Sequence, residues 1–128
     1  MSEADAAVMA MMGEGRVLST APAADAVVQR SGNPVVFGIG SFNLTDAPYR
    51  ELERDVQRFF DPETPDAMRR AIAGERHADY VYCPGAWPID PAVLEQLREA
   101  VWLDEIVLLD RAALFHVKTL RQEAEPKP

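Results

Sequence analysis

Apolar positions along the chain switch between helical spacing and short continuous runs, and this alternation predicts the order of elements. Ser2-Glu3-Ala4-Asp5 gives an acidic start to an Ala- and Met-rich helix ended by Gly13 and Gly15, and Arg16-Val17-Leu18-Ser19-Thr20 reads as a first strand. A helix over 22–29, closed by Ser31-Gly32-Asn33-Pro34, leads to Val35-Val36-Phe37-Gly38. That apolar run between breakers predicts a strand buried on both faces.

Asp46-Ala47-Pro48 opens the next helix, because the carboxylate accepts from free backbone N–H groups while proline near the first helical position forfeits only a bond that would be unmade. Tyr49, Leu52, Val56, Phe59 and Phe60 recur on its inner side, and Asp61-Pro62 stops it. Thr64-Pro65-Asp66 restarts a helix with Met68, Ala71 and Ile72 expected inward. Arg69, Arg70 and Arg76 are expected as later-turn cations that favour the helix dipole. A third strand is expected over 78–83. Asp90-Pro91 repeats the cap-then-proline device before a helix with Val93, Leu94, Leu97 and Val101 as its buried stripe and Trp102 sealing its end. Two final strands, 105–109 and 112–117, are separated only by Asp110-Arg111, which has room for an antiparallel hairpin and none for a crossover.

Strands separated by helices imply an α/β fold, three-layered, with a mainly parallel, Rossmann-like sheet ending in an antiparallel hairpin. Val17, Val36 and Val81 are expected on its central parallel strands. One domain is expected over 1–121, followed by a flexible charged tail over 122–128. The 128 residues, 48% of them apolar, suit a single core. A net charge of −8 argues against a nucleic-acid partner, which requires clustered Lys and Arg. The basic residues mostly stand beside acids, as in Arg50-Glu51-Leu52-Glu53-Arg54-Asp55, and read as a solvated, salt-laced face. The single cysteine, Cys83, excludes an internal disulfide. No run approaches the roughly 18 apolar residues of a bilayer span, and Ala6 to Met12 is too short and lacks the basic flank of a signal peptide. The chain as it stands reads as soluble.

Candidate chemistry centres on loops leaving the strands, since open α/β sheets bind ligands beyond the carboxyl ends of their strands. Gly38-Ile39-Gly40-Ser41, followed by Phe42, offers backbone N–H groups to an anion. It lacks a third glycine and a following Lys-Ser or Lys-Thr, so it matches neither the dinucleotide nor the P-loop fingerprint, and a structural turn is the favoured reading. Asn43-Leu44-Thr45 fits the short glycosylation pattern. Cys83 ends a strand at Tyr82-Cys83-Pro84-Gly85, but neither His77 nor His116 has the spacing of a base, so the thiol reads as a small buried hydrophobe. These three residues show no zinc-ligand spacing, and no metal or cofactor is expected. Asp61, Glu63, Asp66, Asp90, Asp104 and Glu105 could supply paired carboxylates for acid–base work or a divalent cation, but Asp66 and Asp90 at helix starts and Asp61 in a Pro-flanked break have structural roles that explain them better. Trp87, in Gly85-Ala86-Trp87-Pro88, covers the sheet's end or lines a pocket. The candidate ligand-binding set is therefore Gly38, Gly40, Ser41, Phe42, Cys83 and Trp87, with no catalytic residue assigned.

Several of these segments, taken in order, resemble a known family. Gly32-Asn33-Pro34-Val35-Val36, the stretch from Tyr49 through Glu53-Arg54-Asp55-Val56 to Phe59-Phe60-Asp61-Pro62, Thr64-Pro65-Asp66-Ala67, Tyr80-Val81-Tyr82 and the last two strands are similar to the carboxy-terminal soluble domains of polytopic bacterial membrane glycosyltransferase-like proteins. Those proteins are of the GT-C kind, related to protein mannosyltransferases. The resemblance runs from about Gly15 to Arg121. It implies a non-catalytic accessory or binding domain on the extracytoplasmic face of a bacterial membrane, with a membrane glycosyltransferase or a saccharide as partner. It also implies that the catalytic acids and the lipid-linked donor site belong to the membrane part, so no catalytic residue carries over. The alternative from the residues alone is a free-standing cytoplasmic small-molecule-binding protein or enzyme using the crevice between 38–42 and 83–87.

Overall fold

The computed structural model describes residues 3–36 and 46–118. In chain order the elements are α1 (Glu3–Met9), β1 (Val17–Ser19), α2 (Ala21–Ser31), α3 (Asp46–Phe59), α4 (Asp66–Glu75), β2 (Tyr80–Cys83), α5 (Pro91–Glu99), β3 (Leu103–Leu109) and β4 (Ala112–Val117). Their limits follow local chemistry. Gly32, at φ 74°, takes the left-handed conformation that ends α2 and returns its N–H to the Val28 carbonyl. Asp90 caps α5 by accepting from the Ala92 N–H at 2.8 Å, with Pro91 behind it. Asp61 accepts from the Glu63 N–H at 2.8 Å and shapes the turn between α3 and α4.

The four strands lie in the order β1-β2-β4-β3. β1 pairs parallel with β2, whereas β4 pairs antiparallel with both β2 and β3. The sheet is therefore mixed, which corrects the expectation of a mainly parallel, Rossmann-like one. The three helix-separated strands β1, β2 and β3 do run in one direction, as crossover connections allow. The returning arm of the hairpin, however, inserts between β2 and β3 instead of adding at the edge. Burial gives the reason: β4 has Ala112 to Phe115 all buried, while β3 exposes Asp104 and Glu105 and cannot occupy the centre. The hairpin itself is as expected, with Leu109 opposite Ala112 and Asp110 at φ 59° in the two-residue turn.

The expected strand over 35–38 is described only as far as Val36, with Phe37 and Gly38 outside the described residues. Val35 makes one parallel bridge to Val17 of the edge strand β1, and the Val36 N–H donates to the Val17 carbonyl at 2.9 Å. Pro34 limits the pairing because it has a carbonyl to give to the Val17 N–H, at 2.8 Å, but no N–H of its own. Val36 is accordingly no central-strand residue.

Alternation along the strands sends side chains to two cores. Val17, Tyr80, Tyr82, Ala112 and Leu114 face Val8 and Met9 of α1 and Ala23 and Val27 of α2. Leu18, Val81, Cys83, Ala113 and Phe115 face Val56 and Phe59 of α3, Ile72 of α4, and Val93 and Leu97 of α5. Leu52 and Phe60 pack partly buried against the second core, and Trp102 is buried edge-on to Phe59, ring centres 6.3 Å apart.

Two helical faces differ from expectation. In α4 the inward residues are Arg69, Ile72 and Ala73, while Met68 and Ala71 are exposed. The face turns because the buried Arg69 guanidinium donates to the carbonyls of Phe59 and Asp61, both at 2.7 Å, where α3 ends with unpaired acceptors. Arg69 is thus no solvated cation: burial lowers its pKa, opposed by the carboxylates of Asp66 and Asp61. Val101 falls beyond α5 and is 75% exposed, so the stripe ends at Leu97.

Candidate functional site

The carboxyl ends of β1 and β2 carry a polar assembly centred on Asp5. Asp5 is 1% exposed although it stands in the first turn of α1. Its carboxylate accepts from the Tyr82 hydroxyl, from the Gly85 N–H at 2.7 Å and from the Ala86 N–H at 2.9 Å. A short N-terminal helix is thereby tied to the loop that follows β2. Burial first, and then the bond to Asp5, raises the pKa of Tyr82 far above a free phenol, so this hydroxyl stays a donor. Beside it, the Ser19 hydroxyl donates to the Tyr82 carbonyl at 2.9 Å and links the ends of the two parallel strands. Gly85 suits the close approach here: a Cβ would stand a tight 3.2 Å from the Ala112 nitrogen and 3.3 Å from the Ala112 Cβ.

The next residue after this anchored pair is Trp87, which is 51% exposed. Trp87 is the member of the expected set that the described structure presents to solvent. Cys83 lies beneath the same loop, fully buried in the second core opposite Ala113, and burial holds its thiol pKa far above the ordinary value. A ligand on the surface meets no sulfur there. Gly38, Gly40, Ser41 and Phe42 lie outside the described residues, as does Asn43-Leu44-Thr45. His77 precedes β2 and therefore stands at the other end of the sheet from Cys83, and His116 packs edge-on to Tyr80 with ring centres 5.5 Å apart. Neither is brought to the thiol.

Several of the acidic residues singled out in the sequence serve structure. Asp66 accepts from the Trp102 indole N–H at 2.9 Å, and Glu105 pairs with Arg98 at 2.7 Å. Among the described residues no three His, Cys, Asp or Glu side chains converge as a metal site would need, and no helix is long and apolar enough to cross a membrane.

Sequence reasoning missed Asp5, which it read as an ordinary acidic helix start. The signal was its spacing: Asp5, Val8 and Met9 stand at i, i+3 and i+4, so an acid lies on the apolar stripe. Arg69, Ile72 and Ala73 repeat that spacing with a base.

This fold has a solved counterpart. The C-terminal globular domain of an oligosaccharyltransferase from Archaeoglobus fulgidus matches it with a TM-score of 0.55 over 80% of this chain and 84% of that one. Sequence identity is 13%, so the likeness is one of fold. No protein-family model and no curated protein matches the chain.

Proposed function

We propose that this chain is a non-catalytic accessory or binding domain of a membrane sugar-transfer system, working on the extracytoplasmic face with a membrane glycosyltransferase or a saccharide as its partner. The observation that carries the reading is the fold shared with the globular domain of an oligosaccharyltransferase over most of both chains. The segments that resemble the soluble domains of bacterial GT-C proteins point the same way. The loop end of β2 is the contact surface in this reading: Trp87 supplies an exposed aromatic face and Cys83 supports the floor from within the core, while Gly38, Gly40, Ser41 and Phe42, which lie outside the described residues, complete the proposed set. The mixed sheet, with an apolar core on each face, serves as a rigid base for those loops.

The test is genetic and chemical. Removing these residues from the cell that makes them should reduce sugar transfer to the acceptor and leave its lipid-linked donor to accumulate, with recovery when the chain is restored. Unchanged glycans and donor levels would overturn the reading.

A further inference from the structure

The turn between α3 and α4 and the outer side of α5 enclose a depression of about 540 Å³, well away from the β2 loop. Arg69 and Gln96 line it together with Glu63, Pro65, Glu99 and Val101. Arg69 is 1% exposed and spends Nε and Nη2 on the Phe59 and Asp61 carbonyls, which leaves Nη1 without an acceptor among the described residues. Gln96 donates from Nε2 to the next carbonyl of the same turn, Pro62, at 3.3 Å. That bond fixes which end of the amide is oxygen, since a carbonyl accepts only from N–H. Oε1 is then buried with no partner.

A spare donor and a spare acceptor thus stand on adjacent carbonyls of one turn, inside one depression. Leaving the buried Gln96 Oε1 unmet is unfavourable, and a ligand that donates to it while accepting from Arg69 Nη1 at a neighbouring atom answers it. Glu63, Asp66 and Glu99 set the charge requirement: three carboxylates beside one guanidinium repel an anion but accept readily from hydroxyl groups. Val101, 75% exposed, and the Pro65 ring add apolar surface of the sort that receives the C–H face of a sugar ring.

We propose that this depression is a second, separate binding site for a neutral saccharide, with one ring hydroxyl accepting from Arg69 Nη1 and another donating to Gln96 Oε1. The inference rests on the sugar-transfer reading for the source of its ligand, but it concerns different residues.

The test is a two-dimensional ¹⁵N–¹H titration of the full chain with maltose, chitobiose and mannobiose, up to concentrations on the order of 10 mM. At least one disaccharide should shift the Gln96 side-chain amide, the Arg69 Nε–H and the Val101 amide together. Gln96→Met keeps the length of the side chain and lacks the acceptor; it should weaken that binding about tenfold while leaving the fold's spectrum intact. Arg69 is unsuitable as the first variant because it also caps α3. Shifts confined to Trp87 and its loop would overturn this site and leave the proposed function standing. Equal binding by Gln96→Met, or no shift with any of the three sugars, would also overturn it, whereas the proposed function would still be decided by the glycan and donor levels of the deletion.

Discussion

The two faces of the sheet are held by different means. On the α3–α5 face the contacts are mostly apolar, with Phe59, Trp102, Leu97, Val93 and Phe115 filling the space, and the bonds of Arg69 and the Trp102 indole are confined to the turn between α3 and α4 and the start of α4. On the α1–α2 face the apolar cluster is smaller, and polar ties join its helices to loops. Besides the Asp5 assembly, the Tyr80 hydroxyl accepts from the Gly13 N–H at 3.0 Å, and the Asn33 amide donates to the carbonyls of Gly13 and Gly15 at 2.7 and 2.8 Å. One face gains stability from area, which is non-directional; the other fixes loop positions through bonds that have direction. The face with directional ties carries the exposed loop of the proposed contact surface.

The largest expected effect probes the apolar face. Phe59→Ala should cost about 3–5 kcal/mol, because the fully buried ring contacts both Phe60 and Trp102 and nothing nearby can refill its volume. Urea denaturation measures it, and a loss below about 0.5 kcal/mol would mean that this face is not the main source of stability.

On the polar face, Asp5→Ala should cost about 3 kcal/mol by stranding the Tyr82 hydroxyl and the Gly85 and Ala86 N–H groups. Tyr82→Phe should cost about 1 kcal/mol, since it removes one donor and leaves the carboxylate its two backbone partners. In the double variant the losses should fall short of their sum, as expected for residues in one network. Exchange of the Gly85 and Ala86 amides with solvent deuterium should accelerate in Asp5→Ala more than in Phe59→Ala relative to global stability. Equal acceleration would erase the distinction between the two faces.

The same contrast explains what could be read from the sequence. Val56, Phe59, Val93 and Leu97 are legible because an apolar stripe announces itself by period, and the caps at Asp90 and Gly32 are legible because their chemistry is local. The place of β4 was not legible from connection lengths, which set strand direction and leave adjacency open. Its uncharged Ala112-Ala113-Leu114-Phe115, against Asp104-Glu105 on β3, held that information in composition. Asp5 and Arg69 were hidden for a related reason. A charge at one end of an apolar stripe looks like the edge of the stripe until distant backbone groups arrive to satisfy it, and those groups lie 80 and 10 residues away for Gly85 and Phe59. The Gly38 to Phe42 part of the candidate surface lies outside the described residues.

Cys83 sharpens the comparison from inside the apolar core. Its thiol should resist alkylation in the folded protein at neutral pH and react promptly after unfolding, because burial disfavours the thiolate. With the folded pKa raised, the unfolded chain ionises first. The thiol therefore changes stability little at neutral and acid pH and lowers it as pH rises above the ordinary thiol value. Cys83→Ala should cost about 1 kcal/mol at neutral pH and should lessen that alkaline decline. Rapid labelling of the folded chain would instead place the sulfur at an accessible site.

The smallest expected effect on stability comes from comparing the two tryptophans. Trp102 is 1% exposed, donates its indole N–H to Asp66 and meets the Phe59 ring, so its loss removes buried area and a hydrogen bond together. Trp87 is 51% exposed, and it follows directly on the Gly85 and Ala86 amides that Asp5 holds. An apolar ring left half in water gains little from folding, so nothing in the energetics of the core accounts for an aromatic at this position. Trp87→Ala should therefore change stability by less than about 0.5 kcal/mol. If the β2 loop is the contact surface, the same substitution should reduce sugar transfer in complemented cells at unchanged protein level. Asp5→Asn should act in the same direction through the loop, and the Trp87 fluorescence, read in a Trp102→Phe background, should shift with it before any ligand is added. A Trp87→Ala chain that is destabilised by 2 kcal/mol or more would make the ring part of the fold, and the contact surface would lose its exposed aromatic.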